Sequence, residues 1–573
     1  MRNRNAQLYI NSLVVIVLHI FVSVTQTRGL QKIGTLHQYG HSWYFMLMLE
    51  SRLDTTFHRE FLAALEEIAL PPKGKNVYKS ESQYLGVVGF SVEMEPASGY
   101  LIGTVYKEFE RHIRIYFKTI LDEPGWKFRP GPDHPSWLEE SPDNQHQTQR
   151  RNIRSRQNGA IPDESGDSKY LIPRAKSAVE HPEWPEDNGP EPEVEAIKSP
   201  EDNFDLYVLS QPPGVVVEEL RKELWNYKNA GAGQVVYIID TGFDLSHPEL
   251  RQTKFGDWID VGPFPLGETM DRDETNSFHA ETFLSYEYVN HGTGIMSKIV
   301  GRETGVAQNA EVVVVPTSDW KGEGGAHTPI IDALIKVYDH IRTNNHDKNC
   351  IVNLSISTPL DELDYWAYID DSGAWSAELL KENIKYLYED LVVTTLSLGN
   401  VVFVVAAGNQ DPDVPINSLP AVLAEERLLQ DRLVVVGGYD PYTGRNSRQQ
   451  SEFVKIWAPA ESVNCACPWY MAGPNEYQLE RQLCLLSGTS LAAPLVSGVI
   501  LSLLSAGMSI DDVVPYIYEQ AHPRVAHGPK VLYNGIPIEK WPEESWPDWY
   551  RKGKPTPPPP RSVFSDKVKS LKM

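Results

Sequence analysis

Three polar residues close apolar runs in the 573-residue chain, each where a buried element ends and a ligand can reach it. The first is Asp240, in Val235-Val-Tyr-Ile-Ile-Asp-Thr-Gly242. A carboxylate at the C-terminal end of a buried strand stands at the mouth of an open sheet, where ligands bind. Asp-Thr-Gly also occurs in aspartic proteases, and a strand-end aspartate is often only a structural cap. The second is His291, in His-Gly-Thr-Gly294 ahead of Ile295-Met-Ser-Lys-Ile-Val-Gly301, which reads as a short helix beginning at the histidine. Imidazole is the usual general base near neutral pH, although any one of 16 histidines is more often a capping or core residue. The third is Ser490, in Leu486-Ser-Gly-Thr-Ser-Leu-Ala-Ala-Pro-Leu-Val-Ser-Gly498, which runs into an apolar helix. A serine hydroxyl is a nucleophile once a base takes its proton.

The third segment resembles the Gly-Thr-Ser-x-Ala-x-Pro nucleophile motif of subtilisin-like serine proteases, through Gly488, Thr489, Ser490, Ala492 and Pro494. Ile239-Asp-Thr-Gly-Phe-Asp244-Leu-Ser-His-Pro248 and His291-Gly-Thr293 resemble that family's aspartate and histidine segments, in its order of Asp, His, Ser. Val404-Val-Ala-Ala-Gly408-Asn409 resembles its oxyanion-hole segment. The resemblance covers roughly residues 229–506 and implies a doubly wound, mostly parallel α/β sheet. It also implies roles: Ser490 attacks a peptide carbonyl, His291 moves the proton, Asp240 orients the imidazole, and Asn409 donates to the oxyanion.

Substrate contacts follow from the same resemblance. Trp320-Lys-Gly322-Glu-Gly324-Gly325 resembles the edge that takes an extended peptide, and Leu354-Ser355-Ile356-Ser357 the opposing segment. Ala406, Ala407 and Gly408 would line the pocket for the side chain before the scissile bond. Departures are visible too. Ser357 replaces a usual glycine, and Gly294, Ile295 and Leu495 stand where many members have histidine, valine and histidine. The run Val300 to Val306 is short, and Glu249 stands where relatives with a calcium loop have aspartate, so that calcium site is expected to be missing. No metal site and no cofactor is assigned.

The elements that must position these residues alternate apolar runs with helical patterns after Phe204. Val235 to Ile239, Val312 to Val315, Ile351 to Ile356, Val401 to Ala406 and Leu433 to Val436 are the strand candidates, dense in β-branched residues. The sequon Asn353-Leu-Ser355 falls within one of them and is discounted as a glycan site.

Upstream, residues 29–131 read as a small α+β unit of ferredoxin-like β-α-β-β-α-β order. Its elements are a strand at Trp43 to Leu49, a helix carrying Phe57, Phe61 and Leu65, a strand from Tyr84 to Met94, a helix from Tyr100 to Arg111 and a strand from Ile113 to Ile120. Its order resembles the propeptides that chaperone and inhibit subtilisin-like enzymes; a separate binding module is the other reading. Residues 132–204 are acidic linker in composition, with a basic cluster from Gln149 to Arg156 that suits processing. Residues 1–28 read as a signal peptide, Arg2 and Arg4 preceding an apolar run from Leu13 to Val24, with a retained signal anchor as the alternative. The catalytic domain is placed at 205–535 and a Pro-rich, basic tail at 536–573.

A formal net charge of −24 argues against nucleic acid, whose phosphates need a basic field. Polypeptide substrates and the chain's own N-terminal prodomain are the expected partners of a secreted, extracellular monomer, with no stable membrane insertion after signal cleavage. Of the four cysteines, one bridge from Cys465 or Cys467 to Cys484 is expected. Two other functions stand beside a general secreted endopeptidase: a catalytically silent binding protein, and a narrow kexin-type processing protease.

Overall fold

The computed structural model describes residues 43–49, 55–69, 77–94, 105, 109, 113–120, 193–198, 204–215, 223–261, 286–317, 327–361, 377–467, 476–543, 546 and 548–551. The expected signal peptide, the basic cluster, Gly322, Gly324 and Gly325 lie outside the described residues.

The N-terminal part comprises β1 (Trp43–Leu49), α1 (Thr55–Ile68), β2 (Val77–Ser82), β3 (Gly86–Met94) and β4 (Ile113–Ile120). The strands form one antiparallel sheet in the order β2-β3-β1-β4. Phe57, Phe61 and Leu65 recur at helical spacing on α1 and bury that stripe against Phe90 and Val92 of β3. Where one strand was expected from Tyr84, the chain instead forms a hairpin, with β2 running earlier and the turn at Gln83 to Leu85. The arm Val77-Tyr-Lys-Ser-Glu-Ser82 is polar on most positions, which hid it from an apolar pattern.

The remainder is built on β5 (Val194–Lys198), β6 (Glu223–Tyr227), β7 (Val235–Asp240), β8 (Lys254–Trp258), α2 (Tyr286–Val300), β9 (Glu311–Pro316), α3 (His327–Asn344) and β10 (Cys350–Leu354). It continues through α4 (Ala377–Leu396), β11 (Val401–Ala406), β12 (Leu433–Asp440), β13 (Ile456–Pro459), β14 (Val463–Ala466), β15 (Leu483–Leu486), α5 (Thr489–Ser505) and α6 (Val513–Gln520). Parallel strands run β13-β12-β11-β10-β7-β9-β8, and the two-residue strand Arg445–Asn446 adds antiparallel to β12.

Every side chain of β7 is buried, and alternate residues face opposite cores. Val236 and Ile238 pack with α2 and α5, whereas Val235, Tyr237 and Ile239 pack with α3 and α4. Full burial of each such aliphatic side chain contributes roughly 1.5–3 kcal/mol, which fixes the register of the strand that ends in Asp240. Strand order reverses on either side of β7, so Asp240 stands at the switch point of the doubly wound sheet. Helix α5 is buried from Thr489 to Leu504, as its apolar circumference requires.

Three expectations change. His291 lies inside α2, five residues after its start, and does not begin it. All four cysteines are free and buried; Cys465 and Cys484 are cross-strand neighbours in the β14–β15 hairpin, without a bridge. Ile536, Ile538 and Trp541, expected to open the tail, are instead buried against the core, and Trp541 stacks on Trp225 at 5.5 Å between centroids. The sequon asparagine is fully buried, donating to Ser355 Oγ at 3.0 Å and accepting from Ser497 Oγ at 2.9 Å. No helix among the described residues is long and apolar enough to cross a membrane.

Candidate active site

Strand β7 delivers Asp240, fully buried, to the carboxyl edge of the sheet, where α2 brings His291 against it. His291 Nδ1 and Asp240 Oδ1 are 2.8 Å apart. An ionised carboxylate only accepts, so the proton of a neutral imidazole sits on Nδ1 and leaves Nε2 with its lone pair. The same Oδ1 accepts the Thr241 N–H at 2.7 Å, which holds the carboxylate in place. The Asp244 N–H donates to Thr293 Oγ1 at 2.9 Å, lacing the aspartate loop to the histidine helix.

Burial works to lower the His291 pKa, but the charge of Asp240 and the hydrogen bond to it outweigh burial, and the net shift is upward. The charged form of the imidazole is thus favoured beside Asp240.

Ser490 is the second residue of α5, and Gly488 is that helix's N-cap at φ 144°. A Cβ at Gly488 would lie 3.1 Å from Ser490 Oγ and 3.2 Å from Asn409 Nδ2, so the hydroxyl and the amide border one α-carbon. Positive φ and close approach both demand glycine there. Asn409 follows β11. Its Oδ1 accepts from Thr489 N at 2.8 Å and from Thr489 Oγ1 at 3.1 Å, which fixes the plane of the amide and so the place of Nδ2 beside Gly488. The Gly408 N–H donates to Thr489 Oγ1 at 3.1 Å, so the residue before Ser490 fastens the Asn409 loop.

Among the expected substrate contacts, Ser355 is buried while Ile356, Ser357 and Gly408 are half-buried just beyond β10 and β11. Ala406 and Ala407 are buried in the two opposite cores, which leaves Gly408 as the accessible member of that trio. Glu249 is buried as well, and its Oε2 accepts from the N–H groups of Glu303 and Thr304 at 2.9 and 3.1 Å. That carboxylate closes the short loop after α2 through backbone donors. Among the described residues no group of three or more His, Cys, Asp or Glu is disposed to hold a metal ion.

A carboxylate paired with an imidazole, and a hydroxyl and an amide that border one glycine, thus stand at the ends of elements of a doubly wound, mostly parallel α/β sheet. The chain belongs to the subtilase family: that family's model matches residues 231–517, half of the chain. It is 26% identical over 299 residues to a subtilisin-like protease of Coccidioides posadasii (strain C735), covering 52% of this chain and 59% of that protein. To the subtilisin-like serine protease Pen c 1 of Penicillium citrinum it is 26% identical over 316 residues, covering 54% and 63%. The chain thus spans about three-fifths of the length of these curated relatives. A solved cold adapted subtilisin-like serine proteinase matches 59% of this chain and 100% of its own, at 20% identity and a TM-score of 0.38.

Thr293 and Thr489 brace the loops around the site through the bonds above, and Lys298 of α2 donates to the Asn464 carbonyl at 2.9 Å; the motifs by themselves give none of the three a role. Thr489 lay within the recognised motif, so its contact with Asn409 was the most accessible of the three. Lys298 gave no signal of its own, being one lysine in an apolar helix.

Proposed function

We propose that the chain is a secreted serine endopeptidase, made as a zymogen, that cleaves peptide bonds in proteins through Asp240, His291 and Ser490. The observation that carries this reading is the 2.8 Å Asp240–His291 contact together with Ser490 Oγ and the Asn409 amide around Gly488. Nε2 of His291 takes the Ser490 proton as Oγ adds to the scissile carbonyl. Asn409 Nδ2 and the Ser490 N–H stabilise the resulting oxyanion. Protonated His291 then gives its proton to the leaving amine, and water releases the acyl group by the same exchange. Extended substrate adds as a strand beside Ser355, Ile356 and Ser357.

The N-terminal sheet acts as an inhibitor held on α3. Supporting this, Asp339 accepts from Ser82 Oγ at 2.5 Å and from the Gln83 N–H at 2.9 Å, Tyr78 Oη donates to Asp332 at 2.8 Å, and the Arg342 guanidinium lies 4.1 Å from the Tyr84 ring centroid. The hairpin tip is thus gripped by charge-assisted bonds and a cation–π contact. Cleavage in the linker, at the basic cluster Gln149 to Arg156 or nearer Phe204, releases it.

The test is fluorophosphonate labelling of secreted protein, wild type and Ser490→Ala, with the N-termini of mature forms sequenced. Labelling confined to the wild type, with uncut precursor in the mutant, is expected. A shortened wild-type form that does not label overturns the reading.

A further inference from the structure

Asn409 and Gln410 are exposed on the loop that leaves β11, so the amide assigned to the oxyanion needs an anchor behind it. Thr489 holds the Asn409 side chain from α5. The backbone beyond it is held by a different residue. Gln449 is buried, in the polar run Arg445-Asn-Ser-Arg-Gln-Gln450 between β12 and β13. Its Nε2 donates to the carbonyls of Pro415 at 2.9 Å and Val414 at 3.4 Å, and its Oε1 accepts the Gln410 N–H at 3.4 Å. One carboxamide therefore spans both ends of the loop.

Gln449 also presses on the loop's first residue. Gly408 has φ 115°, and a Cβ there would come within 2.2 Å of Gln449 Oε1. The glycine and the glutamine are therefore matched: the α-carbon of Gly408 must be bare for the Gln449 amide to occupy its place beside it. A buried amide exchanged for an apolar group would strip donors and acceptors from three backbone groups at once.

We infer that Gln449 is a positioning residue, which sets the Asn409 amide for the oxyanion by clamping residues 408–415 from behind; this rests on the proposed protease activity. Small displacements of a preorganised donor are felt in the transition state more than in substrate binding.

The experiment uses the full chain carrying Gln449→Ala or the near-isosteric Gln449→Met, which keeps the volume while deleting the bonds. Each should lower kcat about tenfold with KM within about twofold. In an Asn409→Ala background neither should lower kcat further, because the group they position is gone. Hydrogen–deuterium exchange should quicken at residues 408–415 in both variants. Unchanged exchange there, or a kcat loss that multiplies with that of Asn409→Ala, overturns the inference. A wild-type chain that neither labels nor hydrolyses defeats the protease reading instead, and the exchange measurement still decides the clamp.

Discussion

Lys298, on the helix that carries His291, and Asp205, in the short helix Phe204–Tyr207, form an ion pair at 2.5 Å with both side chains out of water. Lys298 Nζ also donates to the Asn464 carbonyl at 2.9 Å, and the Asn464 N–H donates to Asp205 Oδ1 at 3.3 Å. The helix Phe204–Tyr207 is thereby tied to α2 and β14. Removing one partner of a buried pair strands the other charge, so Asp205→Ala should cost about 3–5 kcal/mol. Urea unfolding checks this, and Lys298→Met should recover much of the loss in the double variant.

The raised pKa of His291 gives a pH dependence with a definite sign. Catalysis needs the neutral base, so kcat/KM should rise with pH through a midpoint above the ordinary histidine value. Stability from the same contact runs the other way: it is fully present below about 6.5 and is lost as pH rises through the folded-state pKa. Asp240→Asn removes the charge that outweighs burial. Its pH–rate midpoint should therefore move down, and kcat should fall roughly 10⁴-fold, since the amide favours the wrong tautomer.

Gly488→Ala tests the crowding between hydroxyl and amide. The added methyl group meets Ser490 Oγ and Asn409 Nδ2 and forces φ 144° on a residue that rarely adopts it. We expect kcat to fall at least about tenfold, up to the roughly 10²–10³ that losing an oxyanion donor costs, a magnitude measured on a subtilisin. Active-site titration against total protein separates this from misfolding.

Asp339→Ala should loosen the hairpin. Hydrogen bonds to a charged acceptor are worth about 1.5–3 kcal/mol, less where half-exposed, so the released N-terminal fragment should bind roughly tenfold more weakly. Inhibition of the mature form by its own fragment measures the change.

Much of this architecture was legible because buried parallel strands must be apolar on both faces. Val401 to Ala406 matches β11 residue for residue, and Val235 to Ile239 matches β7 within one residue, Asp240. The start of α2 was not legible, since Tyr286-Glu-Tyr-Val-Asn290 has no strong apolar stripe and Asn290, a favoured N-cap residue type, stands directly before His291. Gln449 was invisible for a different reason. A glutamine in a polar run reads as solvated surface, and only the fold turns it inward. The packing of Trp541 had a trace in sequence, in the aromatics Trp541, Trp546, Trp549 and Tyr550, which a disordered tail seldom carries.

The hairpin of Ser82 and Gln83 grips α3 through few contacts, yet it is covalently joined to the surface it covers. While the chain between Ile120 and Glu193 is intact, docking is a first-order event at a local concentration on the order of millimolar. Cutting that connection makes it second order. On the proposed zymogen reading, the same contacts that hold every copy before the cut then hold a fraction set by dilution, so release would need no weakening of the interface, only a volume for the fragment to leave into.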